Sequence, residues 1–421
     1  MNPLIERPQP IVLLCATMRW PLSARLAMAF LAHGCKVRCV CPSGHPLRFV
    51  SGIESLYPYR SLDSVGSLRA AILASNPDLI VPCDDGVVWQ LHEIHTKFPE
   101  MRPLIERSLG SSDAYPQICS RAAFLQTAAE LGIRVPTTKT VNSEKDLEAW
   151  CGNDSEVLKM DGTSGGNGVA IVRSKVDALA AYRRLFRGLG AGTAWKRLLI
   201  NRDPLALWFW RRRETASVTI QEFIQGRPAN AMLACWDGEL LGIVTVEVLA
   251  ARGATGGATV VRLLQNDEIE RAARQLARKL KLSGFHGLDF VIERTTGAAY
   301  LIELNPRCTQ LGHLRVPGQC DLAGVMSAKL RDEPAPAPRD CFQGDTVAFF
   351  PQEFNLNPKS CYLRCGYHDV PWEEPALVIE LLRPGWPERQ WLSRAYHHFR
   401  VPEKIEEEKF GRKSDDVQQN Q

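Results

Sequence analysis

The sequence predicts a chain of class α/β and α+β: a doubly wound parallel N-terminal domain, a larger domain of hairpins and helices, and a small C-terminal extension. Three observations predict it. Apolar runs alternate with helical segments over about the first hundred residues, runs joined by Gly-containing turns dominate the middle, and a Pro-rich stretch, PAPAPRD, precedes a short final set of runs. A length of 421 residues exceeds what one core fills. The expected boundaries are 1–112, 113–330 and 331–403, with a charged, polar tail at 404–421 that should lack structure.

In the first domain, residues 11–16 form the continuous apolar run of a buried parallel strand, 21–32 follow as a helix, and 36–41 repeat the strand pattern. Residues 68–74 read as helix, 79–83 as a third strand and 86–95 as another helix. Ligands of such sheets sit beyond the carboxyl ends of the strands, where Thr17 and Arg19, then Ser43, Gly44 and His45, then Asp84 and Asp85 fall. The aspartate pair has a catalytic reading and a structural one as an acidic helix cap; the structural one is preferred.

In the second domain, 120–132 is a helix with Ser120 as N-cap and Gly132 just past its end. Residues 156–174, EVLKMDGTSGGNGVAIVRS, place a lysine and a glycine-rich loop between two strands. Glycines let backbone amides approach an anion closely, and Lys159 adds a point charge. No GK[ST] follows, so the loop is neither a Walker A loop nor a dinucleotide fingerprint; it folds over phosphates or is a plain hairpin turn. Residues 175–186 continue as helix, 217–223 as strand, 231–235 and 240–249 as a hairpin turning at Asp237 and Gly238, and 268–282 as an amphipathic helix stopped by Gly284.

The chain is organised around 286–307, HGLDFVIERTTGAAYLIELNPR. Two short strands with a turn at Thr295, Thr296 and Gly297 make a hairpin, and alternation sets Glu303 and Asn305 on one face, Leu304 on the other, with Asp289 on the paired strand sharing the polar face. Two carboxylates and an amide oxygen are hard ligands that suit Mg²⁺, with Mn²⁺ the alternative, completing its shell from water and phosphates. Arg307 is spaced to hold a phosphoryl oxygen or carboxylate in two hydrogen bonds. The alternative is the polar outer face of an ordinary hairpin.

Five features in order, SRAAFLQTAAELGIRVPTT, the lysine with its glycine loop, TIQEFIQG, GLDF and YLIELNPR, resemble the ATP-grasp superfamily over about residues 113–315. The resemblance implies a two-lobed ATP-grasp domain that binds ATP and Mg²⁺ and activates a small-molecule carboxylate as an acylphosphate for attack by a nucleophile, an amine by preference. It implies that Lys159, Gly162, Ser164, Gly165, Gly166, Gly168 and Arg121, which stands where relatives carry lysine, hold the phosphates. The backbone of the linker at 219–226, with Gln221, Glu222, Phe223 and Ile224, would read adenine; Pro228 stands where some relatives bind ribose. Asp289, Glu303 and Asn305 would hold metal, Arg307 would stabilise the acylphosphate, and Arg252, in a second glycine-rich loop at 252–259, would supply charge as that loop closes. The first domain and residues 308–314 would line the second substrate's pocket, with His313 as a base or as a structural residue. A kinase and a non-catalytic ATP-binding module on the same fold are the alternatives.

Composition narrows the rest. Apolar residues make up 45% of the chain, and 51 basic against 47 acidic residues leave a net charge of +4, which gives no sign of a nucleic-acid partner. Thirteen cysteines without paired metal spacing, Cys39 with Cys41 and Cys361 with Cys365 included, and no leader pattern indicate reduced thiols in a cytoplasmic protein. No apolar run reaches the ~18 residues of a membrane span. Between Arg183 and Arg213, nine basic residues face the single acid Asp203, with tryptophans interleaved. This reads as an insertion packed on the glycine loop or a homodimer contact, in preference to peripheral membrane contact through 195–213.

Overall fold

The computed structural model describes residues 9–148, 155–161, 168–188, 192, 195, 217–253, 256–338 and 342–383. Its first sheet is parallel, in the order β3-β2-β1-β4, with β1 (Ile11–Cys15), β2 (Lys36–Cys41), β3 (Ser55–Pro58) and β4 (Leu79–Pro82). Val12 and Leu14 of β1 enter one core with α1 (Leu22–Ala32), while Leu13 and Cys15 enter another with α2 (Ser64–Ser75), α3 (Asp85–Lys97) and α4 (Arg102–Leu109). Cover on both faces is why β1 reads as an unbroken apolar run. The sequence reading missed β3, whose four residues are at most half-buried and end in proline, as suits an edge strand. It missed α4 as well.

Helix α5 (Arg121–Glu130) begins on Ser120, whose hydroxyl accepts from the N–H of Ala123 at 3.4 Å, and ends before Gly132 at φ 75°. An antiparallel sheet follows, in the order β5-β8-β6-β7, from β5 (Thr138–Val141), β6 (Glu156–Met160), β7 (Val169–Val172) and β8 (Val218–Glu222). Helix α6 (Lys175–Gly188) packs on it through Ala178, Ala181 and Leu185.

The largest sheet has the order β13-β12-β9-β10-β11-β14-β15. Its members are β9 (Gly226–Trp236), β10 (Glu239–Ala251), β11 (Ala258–Leu263), β12 (Gly284–Glu293), β13 (Ala299–Asn305), β14 (Thr346–Phe349) and β15 (Tyr367–Asp369). Asp237 and Gly238 turn β9 into β10 with φ 45° and 81°, the left-handed pair a two-residue hairpin needs. One face of the sheet packs on α5 and on α7 (Asp267–Leu280); the other shares a core with α1, the first sheet and α8 (Leu322–Arg331).

The C-terminal runs split. Of the two alternating runs that the sequence places after PAPAPRD, 346–350 and 376–382, the first gives strand β14 over 346–349, paired with β11, but the second is no strand: α9 (Pro375–Leu382) is a helix. ALVIELL is apolar at nearly every position and so carries no period, and Pro375 sits in the first turn, where its missing N–H is tolerated. This extension does more than pack on the large sheet. It supplies β14 and β15, and it reaches the first domain through Arg19 to Glu380 at 3.1 Å, Arg25 to Asp369 at 2.7 Å and the Ser51 amide to Glu374 at 2.9 Å. Among the described residues every cysteine is free, with Cys39 and Cys41 buried and Cys361 and Cys365 exposed, and no helix is long and apolar enough to cross a membrane. The expectations for 404–421 and for 195–213 apart from Trp195 lie outside the described residues.

Candidate active site

The hairpin forms in the expected register. Asp289 pairs directly with Glu303, Gly287 with Asn305, and Asp289 on its other side with Asn230 of β9. Leu288, Phe290 and Leu304 enter the core beneath α7, so by alternation Asp289, Glu303 and Asn305 project from the opposite face. The chain folds back over them after β13, and a Cβ on Gly287 would lie 2.5 Å from Thr309 Cγ2, so this close return requires glycine there.

Hydrogen bonds tie the cluster to three other segments. Asp289 accepts from the Asn230 amide at 2.6 Å and from the Asn305 amide at 3.1 Å. Arg121, at the start of α5, donates one guanidinium nitrogen to Glu303 and another to Asp161, both at 2.7 Å. Arg307 donates Nε to Asp85 at 2.8 Å and Nη2 to the Asn305 side-chain oxygen Oδ1 at 3.4 Å. A cavity of about 70 Å³ opens between these groups, walled by Trp89, Cys119, Arg121, Asp161, Glu303 and Asn305.

Two facing carboxylates in a buried place do not ionise alike. Burial and the neighbouring charge of Glu303 push Asp289 up to about 6, against the two amides that favour its charged form. Burial acts on Glu303 too, but Arg121 and Lys159 outweigh it and hold its carboxyl below the usual range. Burial lowers Lys159 to about 8 although Glu303 and Asp289 favour its charge. Two carboxylates beside an amide oxygen are a hard donor set that fits Mg²⁺. Among the described residues no group of three or more His, Cys, Asp and Glu side chains makes a metal cluster.

The other expected residues fall in three places. Lys159 is buried at the end of β6, on the lobe that faces the hairpin cluster electrostatically, and Gly168 follows the loop and accepts from the Met160 amide at 2.9 Å. Gly162, Ser164, Gly165 and Gly166 lie outside the described residues. Phe223 and Ile224 connect β8 of the small sheet to β9 of the large one. Glu222 is exposed, whereas Gln221 is buried and donates to the Thr138 hydroxyl at 3.1 Å. Arg252 is not brought to the cluster. It is exposed, and Val246, which aligns with Asn230 and Asp289, precedes it by six residues, on the order of 20 Å along the strand. His313 is buried, with Nε2 2.6 Å from Asp369, and with Leu314 it lines a cavity of about 370 Å³ that shares no residue with the one beside Glu303.

The aspartate pair divides. Asp84 caps α3, accepting from the Val87 amide at 3.1 Å and from the Thr17 amide and hydroxyl at 2.6 and 2.9 Å, as the structural reading expected. Asp85, one residue on, turns to Arg307. Asn230 and Asp161 were missed; an asparagine within the apolar run of β9 and an acid directly before the glycines were the signals for them.

A sequence model described as an ATP-grasp domain matches residues 206–310. No curated protein matches the sequence. Among solved structures, the ADP complex of PurK, an N5-carboxyaminoimidazole ribonucleotide synthetase, superposes with a TM-score of 0.58 at 15% identity over 79% of each chain. Biotin carboxylase from Campylobacter jejuni gives 0.57 at 13% identity, covering 79% of this chain and 73% of that one. A carboxyaminoimidazole ribonucleotide synthase from Aspergillus clavatus, complexed with ATP, gives 0.56 at 16% identity over 78% of each. These findings show the fold: an ATP-grasp domain match over 206–310 within the architecture of these neighbours. The chain's architecture, a parallel N-terminal sheet followed by a small and a large antiparallel-based sheet, is that of PurK and biotin carboxylase.

Proposed function

We propose that the protein is an ATP-dependent ligase that activates a small carboxylate as an acylphosphate and passes the acyl group to an amine or related nucleophile. The observation that carries this reading is the in-register pair of Asp289 and Glu303 with Asn305, met by Arg121 and Lys159 from separate segments and by Arg307 two residues past Asn305. The ATP and ADP bound to structural neighbours support a nucleotide in the cleft, and the biotin carboxylase and ribonucleotide synthetase neighbours support ligase chemistry.

In this reading Asp289, Glu303 and Asn305 hold Mg²⁺, which when bound neutralises phosphate charge. Lys159 and Arg121 orient the phosphates, with the glycines at 162, 165, 166 and 168 and Ser164 covering them. The carbonyl of Glu222 and the amide of Ile224 face the adenine edge; the Glu222 amide is already bonded to the Thr137 carbonyl at 2.9 Å. Arg307, steered by Asp85, holds the oxygens of the acid as they gain charge. The domains divide at 1–112, 113–330 and 331–403, and the protein works in the cytoplasm without nucleic acid or membrane.

ADP release is the test, read with a panel of carboxylic acids supplied singly and then with amines, and with hydroxylamine as acylphosphate trap. ADP release that needs an acid, with a hydroxamate formed under trapping, is expected. Phosphorylation of a hydroxyl compound with no acid present overturns the ligase reading in favour of a kinase, and ATP binding without turnover for any pair overturns it in favour of a binding module.

A further inference from the structure

A second cavity lies apart from the one beside Glu303. At about 370 Å³ it is the size of a small-molecule site. It runs along α1 past Arg25, Met28, Ala29 and Ala32, a stripe at helical spacing opposite the core residues Leu26, Ala27 and Phe30. The return chain after β13 and the C-terminal extension close its other sides.

Its floor is a locked charge cluster. Asp369 accepts from Arg25 at 2.7 Å and lies 2.6 Å from His313 Nε2. Arg25 still has an unused group, because its Nε is a buried donor with no acceptor among the described residues, and buried donors are rarely left so. The rim carries unlike charges. Arg315 is exposed and in no ion pair among the described residues, while Glu373, whose side chain is 62% exposed, has only a long contact of 3.8 Å to Arg25. Glu374 is engaged with the Ser51 amide and hydroxyl, both at 2.9 Å. Between the charges stand Phe342 and Tyr367, stacked with centroids 4.4 Å apart and planes 8° from parallel.

We propose that this cavity binds a free α-amino acid. Arg315 and Arg25 Nε take its carboxylate, since a guanidinium matches carboxylate geometry in a way an ammonium does not. Glu373 takes its ammonium, and the Phe342–Tyr367 pair and the apolar stripe of α1 receive an apolar or aromatic side chain. A simple anion leaves Glu373 unanswered, and a simple amine leaves both guanidinium groups unanswered, so the mixture of charges selects a zwitterion. The proposal does not depend on what the Glu303 cluster does, because the two cavities have no lining residue in common.

The test uses the full chain without nucleotide. Thermal shift followed by calorimetry is run with each of the common α-amino acids, then with the matching amine lacking the carboxylate and the matching acid lacking the amine. Expected is at least one apolar or aromatic amino acid with Kd below about 1 mM, and a loss of about tenfold or more for each truncated analogue. Arg315→Ala and Glu373→Gln are each expected to weaken it about tenfold, with binding of a fluorescent ATP analogue unchanged. Both side chains are exposed, so these variants fold. No binding by any amino acid, equal binding of the truncated analogues, or affinity untouched by both substitutions overturns the proposal. Competition by an ATP analogue overturns the separateness of the two sites. ADP-release activity that fails while amino-acid binding holds sinks the ligase reading alone.

Discussion

Among the described residues, two of the buried charge clusters are built to opposite ends. Around Asp369, one carboxylate meets Arg25 and His313; burial favours its neutral form, but these partners win and hold it at about 2. Around Glu303, two carboxylates face each other across adjacent strands, and one is driven up to about 6 while the other is held down. Charge answered within the protein makes a joint between segments, here α1, the loop after β13 and the extension. Like charges set side by side mark a place that waits for something from outside.

The widest separation between the two clusters is expected in Asp369→Asn. It strips the anion from two buried partners, a change that costs about 3–5 kcal/mol of stability, read as a shift in the urea midpoint. Glu303→Gln should do the reverse, leaving the midpoint nearly unchanged while ADP release falls about a hundredfold, or roughly 3 kcal/mol. If Glu303→Gln unfolds the protein, the distinction between joint and site fails. Asp85→Asn is gentler: Arg307 keeps a neutral partner but loses its charged one, and about a tenfold fall in turnover is expected with no loss of fold. Asn266 lies in neither cluster; it caps α7 by accepting from the Glu268 and Ile269 amides at 3.0 and 3.1 Å. Asn266→Ala is therefore a control that should cost about 1 kcal/mol and leave turnover alone.

Acid titration sharpens the same contrast. The folded carboxyl of Asp369 lies below its unfolded value, so the unfolded chain takes up a proton first as pH falls. Its contribution is whole above pH ~4 and lost on descent toward pH ~2. Wild type should lose stability across that window more steeply than Asp369→Asn, as followed by circular dichroism. Equal slopes would mean that the Arg25 and His313 contacts do not act on the folded state.

Legibility in the sequence followed the range of the interaction. The strands at 11–15, 36–41 and 79–82 were readable because two-sided burial leaves an apolar run, and the β12–β13 hairpin because its turn and alternation are both local. The shared polar face of Asp289, Glu303 and Asn305 followed from that register alone. Local pattern also failed where it had no period, in α9, and where a strand was too short and exposed, in β3. What no local rule reaches is the choice of partner. Arg121 meets Glu303 across 182 residues and Arg307 meets Asp85 across 222. Asp84 and Asp85 look alike in the sequence, yet one closes its own helix and the other reaches another sheet, because the N-cap position admits only one of them.

Strand β14 has a consequence for where this chain can be cut. It hydrogen-bonds to β11 through the Val260–Ala348 to Arg262–Thr346 register, so a version ending near residue 338 would strip the large sheet of its last two ribbons. The bare backbone of Val260 and Val261 would then be open to any passing strand. Such a trimmed protein is expected to clump rather than survive as a smaller folded chain, and the final segment is better regarded as the hem of the sheet than as an appendix to it.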